Sequence, residues 1–203
     1  MRYDTDQKER THRQILAEAA DAIRRKGPDR VGVAEVMSKL GLTHGGFYAH
    51  FASKDDLIAQ AITSMFDQGY GNFLRRTEGV EPQQGLAAYV DWYLSTAHRD
   101  APSGGCPLAA VSGDLPRLPE AARVRYSEGV ERLAAALAQQ LRKLKATNAE
   151  ALAFSALSEM AGALTFARAI LDRERSDQIL RASRGIVKAR LGLSRPSGAV
   201  AAK

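Results

Sequence analysis

The sequence predicts an all-α chain of about nine helices: an N-terminal three-helix helix-turn-helix head, then a larger helical domain. Three observations carry this. Apolar residues recur at three- and four-residue spacing through most of the 203 residues, and no stretch alternates with the period of two that a half-buried strand requires. The composition, 45% hydrophobic and 26% charged, supplies a core and argues against wholesale disorder. Within residues 33–54 two short helix-like segments flank a tight glycine-containing turn, VAEVMSKLGLTHGGFYAHFASK.

Taken in order, the first helix is expected over 7–26, where Ile15, Leu16, Ala19, Ala20 and Ile23 form one apolar stripe. Gly27-Pro28-Asp29 stops it, because glycine closes a helix and proline cannot continue one. A short helix over 33–40 turns Val33, Val36, Met37 and Leu40 inward and ends at Gly41. Leu42 is expected as a buried link, and Thr43 as the N-cap of a third short helix over 44–50. Ser53 with Asp56 three residues on resembles a capping box. It opens a fourth helix carrying Leu57, Ile58, Ala61, Ile62, Met65 and Phe66, weakened at Gly69 and Gly71. Residues 78–84, with Gly79 and Pro82, read as a loop between functional regions.

A fifth helix is expected over 86–98, with Tyr89, Trp92 and Tyr93 clustered on it. Four prolines and three glycines make 99–119 irregular, with a short helix near 108–111. A long helix starts at Pro119 and runs to about residue 145, with Val124, Val130, Leu133, Leu137, Leu141 and Leu144 as its stripe. An alanine-rich helix follows over 148–172. Ser176 is expected to cap a last helix, reaching Leu191, with Ile179, Leu180, Ile186 and Val187 on one side. The domains are then 1–52, a helix-turn-helix head; 53–191, a helical domain; and 192–203, a disordered tail.

Bulk numbers exclude some classes and leave others open. No apolar run reaches the ~18 residues that span a bilayer; the most apolar candidate, 160–171, is broken by Arg168. The first ten residues, MRYDTDQKER, are polar and unlike a secretory signal, and one cysteine provides no disulfide framework, so a reducing cytoplasm is expected. The net charge of +6 is poor evidence for nucleic acid: residues 1–60 hold 10 Lys/Arg against 9 Asp/Glu, and the other 143 hold 19 against 14. Where particular cations sit matters more than the total.

The informative segment is 33–54. Its second helix is too brief to be stable alone, so packing must hold it, and Phe47 and Phe51 are the residues to do so. The remainder faces out, as in a helix-turn-helix whose second helix enters a major groove. His44, Gly45 and Gly46 occupy the first turn, where free N–H groups attract phosphate and the absence of side chains permits close approach. Tyr48 and His50 end in hydrogen-bonding groups on the flank, Lys54 adds a cation, and Thr43 reaches a phosphate or base edge. Few of these side chains read bases directly, so part of the specificity is expected from DNA shape.

These residues resemble the TetR family of bacterial regulators. The resemblance rests on the Ile15-Leu16-Ala17-Glu18-Ala19-Ala20 stripe, Gly27, Val33-Ala34-Glu35-Val36, the run from Gly41 through Phe51, and Ser53-Lys54-Asp55-Asp56-Leu57. It implies that Tyr48, His50 and Lys54 bind phosphates and that Thr43, His44 and Gly46 face the groove. It also implies double-stranded operator DNA as partner, a small-molecule cavity among the middle helices, and a homodimer built from the last two long helices. Two departures stand out: Gly46 where many members carry Thr, Ser or Ala, and Gly32 in place of a Ser/Thr cap. The function so implied is a ligand-responsive regulator, a repressor released from a pseudo-palindromic operator by a small hydrophobic or electrophilic effector. The dimer has independent support, since 148–172 and 176–191 hold more apolar residues than one internal face needs and small ones that permit close packing.

For the effector, the candidate lining residues are Phe66, Tyr70, Tyr89, Trp92, Tyr93, Cys106, Tyr126 and Phe154. Periodicity does not distinguish a pocket role from ordinary core for any of them. Cys106 in Gly104-Gly105-Cys106-Pro107-Leu108 is either a thiol activated near a helix N-terminus or a small buried residue. The Gly-Cys-Pro-Leu-Ala-Ala run resembles a TetR branch of multidrug and quinone-responsive repressors. No metal or cofactor is expected, because His44 and His50 are six apart and no Cys/His cluster exists elsewhere. The competing classes are a thiol-dependent enzyme using Cys106 and His98, which lacks a nucleophile elbow or phosphate loop, and a membrane-surface module.

Overall fold

The computed structural model describes residues 2–193; the expected tail beyond Leu193 lies outside them. Among the described residues there are nine α-helices, three short 3-10 helices and no strand. The helices are α1 (Arg2–Lys26), α2 (Val33–Lys39), α3 (Lys54–Thr77), α4 (Pro82–Tyr93), α5 (Thr96–Asp100), α6 (Pro107–Val111), α7 (Glu120–Lys143), α8 (Ala149–Ala169) and α9 (Arg173–Arg190). No helix among the described residues is long and apolar enough to cross a membrane. The chain forms two compact units. Of the described residues, those up to Gly69 join Ala101–Glu131 in the first, and Tyr70–Asp100 joins those from Arg132 to Leu193 in the second.

In the first unit the expected stripe of α1, Ile15, Ala19, Ala20 and Ile23, is buried against Val36 and Met37 of α2, Phe47, Phe51, and Leu57, Ala61 and Met65 of α3. Gly27 takes the left-handed conformation (φ 81°) that ends α1, as its position after the stripe predicts. Leu42 is half-buried, not fully enclosed. α1 begins earlier than expected, at Arg2. Ser53 accepts from the Asp56 N–H at 3.1 Å while Asp56 Oδ2 accepts from the Ala52 N–H at 3.0 Å, a capping box displaced by one residue. α3 then runs unbroken through Gly69 and Gly71, where fraying was expected, because its flanking residues Met65, Phe66 and Phe73 are buried and that packing outweighs about 1 kcal/mol of propensity per glycine.

Ionic contacts tie α1 to α2 within this unit: Lys39 Nζ lies 2.6 Å from Glu18 Oε1, and Lys26 pairs with Glu35, holding that carboxyl below its usual range. Opposite them, Arg24 donates to the carbonyls of Gly105 and Ser103, both at 2.9 Å, fastening the irregular segment that precedes α6. Phe66 lies against Gly129 of α7 so closely that a Cβ there would fall 2.2 Å from its ring.

The second unit departs from expectation in its helix bounds and caps: α4 already starts at Pro82, inside the expected 78–84 loop. The helix expected over 86–98 is two helices, α4 and α5. Ser95 ends the first by donating to Trp92 O at 2.7 Å and starts the second by accepting from the His98 N–H at 3.1 Å. The last helix is capped by Asp172, whose carboxylate accepts from the Arg175 N–H at 3.1 Å, and not by Ser176. Ser176 is instead buried, donating to Ala167 O at 2.6 Å and accepting from Arg99. α7 ends in a turn closed by Lys145 with φ 61°, a conformation that favours glycine.

In α7 the expected stripe holds in its C-terminal half, where Leu133, Leu137 and Leu141 are buried, but not at Val124, which is exposed; Ala122 and Gly129 face inward there instead. α8 and α9 pack along each other, joined by Arg190 to Glu159 at 2.7 Å. Leu180, Val187 and Leu191 are buried as the stripe predicts, whereas Ile186 is not.

Candidate nucleic-acid interface

The helix expected over 44–50 is a 3-10 helix, His44–Ala49. Six residues holding two glycines cannot nucleate a stable α-turn, so tighter 3-10 bonding and tertiary contacts define it. Thr43 caps it as expected, its Oγ1 accepting from the Gly46 N–H at 3.3 Å. Phe47 and Phe51 anchor it: both are buried, their rings stacked with centroids 5.4 Å apart. With those rings turned inward, the opposite side is left to solvent. Tyr48 is 66% exposed, resting edge-on against Phe47 at 5.2 Å and against His44 at 6.1 Å. No atom lies within 4 Å of where a Gly45 side chain would begin, so that backbone is open to a partner. Gly46 is more enclosed: a Cβ there would meet Thr43 Oγ1 at 3.4 Å and Met37 Cε at 3.8 Å, ordinary contact distances.

His50 and Lys54 are half-buried. Lys54 Nζ donates to Asp29 O at 3.0 Å, which fixes the amine over the turn between α1 and α2 and leaves two of its three donors. The His50 ring has a buried Nδ1 with no hydrogen-bond partner among the described residues. Burial, with His12 and Lys8 nearby, lowers its pKa below the usual histidine value. His12, on α1, stacks on Phe51 at 4.6 Å and bonds Gln60 Oε1 at 3.1 Å. A groove of about 370 Å³ lies between them, lined by Lys8, Glu9, His12, Arg13, Ala49 and His50. The α1 residues of this groove were not legible as site residues, because only the fold brings α1 alongside a segment almost 40 positions away.

The eight candidate effector residues divide between the two units. Phe66, Cys106 and Tyr126 belong to the first. Phe66 meets Tyr126 edge-on at 5.3 Å, the Tyr126 hydroxyl lies 2.6 Å from Ser112 Oγ, and Cys106 is buried at the start of α6. Burial raises the Tyr126 pKa. Tyr70, Tyr89, Trp92, Tyr93 and Phe154 belong to the second. Tyr89 and Tyr93 are fully buried with Phe73, and Trp92 is sandwiched between the Arg76 guanidinium, 4.1 Å from its centroid, and the stacked His98 ring at 4.6 Å. His98 hydrogen-bonds Tyr93 O at 2.7 Å, and its burial pulls its pKa down to about 4. Arg132 covers Tyr70 at 4.6 Å, and Phe154 is 39% exposed on α8. A second groove, of about 790 Å³, is lined by α1, α3 and α7 residues including Arg13, Asp55, Asp67 and Arg125. None of the eight lines either groove.

Comparison with known proteins agrees with this geometry. Residues 15–61 match the model for bacterial regulatory proteins of the tetR family, and residues 82–183 match the tetracyclin repressor-like C-terminal domain. An uncharacterised HTH-type transcriptional regulator, YfiR of Bacillus subtilis (strain 168), is 26% identical over 89 residues, 44% of this chain; the chain spans 42% of that relative's length. Among solved structures, reduced NemR of E. coli superposes with a TM-score of 0.78 at 19% identity, covering 88% of this chain and 95% of that one. A TetR transcriptional regulator from Chloroflexus aurantiacus J-10-FL gives 0.78 at 19%, covering 92% and 96%. One from Legionella pneumophila gives 0.75 at 19%, covering 87% and 94%. The family models describe regulators, and the His98 ring of the competing thiol-enzyme reading is committed to Trp92 and Tyr93. With its N-terminal and C-terminal segments both matched, the chain belongs to the TetR family of bacterial regulatory proteins.

Proposed function

We propose that this protein is a dimeric, ligand-responsive transcriptional repressor, acting in the cytoplasm on a pseudo-palindromic operator through a head spanning 1–52. One observation carries the reading: the 3-10 helix buries Phe47 and turns Tyr48 and the bare Gly45 backbone outward, a shape that fits a groove. Thr43, His44, Gly45 and Gly46 approach the groove floor, while Tyr48, His50 and the free donors of Lys54 take phosphates. The test is fluorescence anisotropy with duplexes that the protein itself selects from a random-sequence pool. Binding weakens as salt rises, and Tyr48→Ala weakens it by about tenfold, the loss of a hydrogen bond to a charged acceptor. No duplex binding at low salt would refute the reading.

The dimer is proposed through α8 and α9. Phe166 (64% exposed), Ile186 (58%) and Phe154 stand outward there, and Gly162 and Gly185 have open space above them, so helix backbones of a second copy can approach closely. Phe166→Asp is expected to shift the sedimentation coefficient from dimer to monomer. The effector proposed is a small hydrophobic or electrophilic molecule, with Phe66, Cys106 and Tyr126 as the candidate contacts within the first unit and Tyr70, Tyr89, Trp92, Tyr93 and Phe154 as those within the second. By linkage, an effector that weakens operator binding must itself bind more weakly to the operator complex, by the same factor.

A further inference from the structure

We infer that the groove between α1 and the end of the 3-10 helix is a phosphate subsite for duplex DNA, in which Lys8 and Arg13 of α1 and the His12–His50 pair hold one backbone phosphate. The inference rests on the DNA-binding reading and extends the interface to a helix outside the helix-turn-helix.

The groove has room for a phosphodiester, about 370 Å³, and its lining is basic at its rim: the side chains of Lys8 and Arg13 are solvent-exposed. Among the described residues Glu9 is the one carboxylate in the lining, against the two fixed cations Lys8 and Arg13. The two imidazoles have ring centroids 6.0 Å apart. Burial, with His12 and Lys8 of α1, opposes protonation of the His50 ring; Phe51 beside it is apolar, Glu9 is the carboxylate that lines the same groove, and Gln60 of α3 is neutral and held by His12 and Asp56. The Asp56 carboxylate is committed to the Ala52 N–H and Gln60 Nε2.

An anion entering this groove adds negative charge beside the His50 ring and the two cations. It favours the imidazolium form, so phosphate binding draws in a proton, and affinity is highest on the acid side of the histidine range. As pH rises through the bound-state pKa the proton is lost and affinity falls. A fixed cation elsewhere on the surface shows no such dependence.

The experiment uses the full chain, anisotropy with a duplex selected from a random pool, and salt and pH titrations. Lys8→Ala/Arg13→Ala changes two exposed side chains and leaves the core intact. It is expected to lower the salt slope, d log K/d log[salt], by about one per protomer and to weaken binding by about tenfold at low salt. Arg123→Ala/Arg181→Ala removes the same charge outside the groove and changes the slope by less. Wild-type affinity is expected to fall between about pH 5.5 and 8, and His50→Gln to flatten that fall. If the wild type binds, Tyr48→Ala weakens it, and Lys8→Ala/Arg13→Ala leaves slope and affinity unchanged, the subsite is refuted while the regulator reading stands. If the wild type does not bind duplex at all, both fall.

Discussion

Replacing Gly129 with alanine tests how tightly the first unit is packed. In an open helix the change is favourable by about 1 kcal/mol. Here the new Cβ falls 2.2 Å from Phe66 Cγ and 2.3 Å and 2.6 Å from its two Cδ atoms. The clash is with the root of the ring, which cannot swing aside as a chain end would. Phe66 is buried and meets Tyr126 edge-on, so displacing it costs about 2 kcal/mol of overpacking and about 0.5–1 kcal/mol of the aromatic contact. Subtracting the propensity gain leaves a net loss of about 1–2 kcal/mol. For a chain of this size that lowers Tm by roughly 2–8 °C at fixed protein concentration. The assay is urea and thermal unfolding of four proteins: wild type, Gly129→Ala, Phe66→Leu and the double variant. In the Phe66→Leu background the alanine is expected to be neutral or stabilising, and the cycle isolates the coupling between the two positions. A Gly129→Ala protein more stable than wild type, or a cycle without coupling, would refute the packing argument.

Three further perturbations read other parts of the structure. Ser53→Ala removes the cap of α3 and is expected to destabilise by about 1 kcal/mol in urea, with Ser53→Asn retaining most of the stability. His98 is held neutral, with a folded pKa of about 4 against 6.5 when exposed, so the unfolded chain binds more protons between those values. His98 therefore contributes a loss of about 3 kcal/mol of stability as pH drops from 6.5 towards 4, and His98→Gln should reduce the slope in urea titrations across the window, leaving the smaller part due to His50. Arg99 is buried and donates to Asp100, Ser176 and Asp177, and its bond to Asp100, with a second from Arg173, lowers the Asp100 pKa. Because both carboxylates keep partial solvent access, Arg99→Met is expected to cost about 2–3 kcal/mol, less than a fully buried pair, and Arg99→Lys recovers little since one ammonium cannot replace the fork; recovery of full stability by lysine in urea denaturation would contradict this.

The amino-acid order by itself determined the all-α class, the positions of α1, α2 and α3, the cap at Thr43 and the inward pair Phe47 and Phe51. These follow from local rules: apolar spacing, the stop at Gly27, and side chains that bond backbone three residues away. Where two local signals competed, tertiary packing chose. Gly69 and Gly71 would fray an isolated helix, yet buried neighbours keep α3 continuous; Ser176 has the chemistry of a cap, yet Asp172 takes that role and Ser176 is drawn into the bonds of Arg99 and Ala167. The division of 86–98 at Ser95 turned on two bonds from one hydroxyl, too specific for periodicity to show. The site divides the same way. Its exposed tip was legible because neighbours within eight residues define it, whereas Lys8, His12 and Arg13 join it only through the folding of α1 alongside Phe51. Sequence spacing encodes faces of single elements; which face meets which is a property of contacts between residues far apart in the chain, and those are decided by the packing of the core.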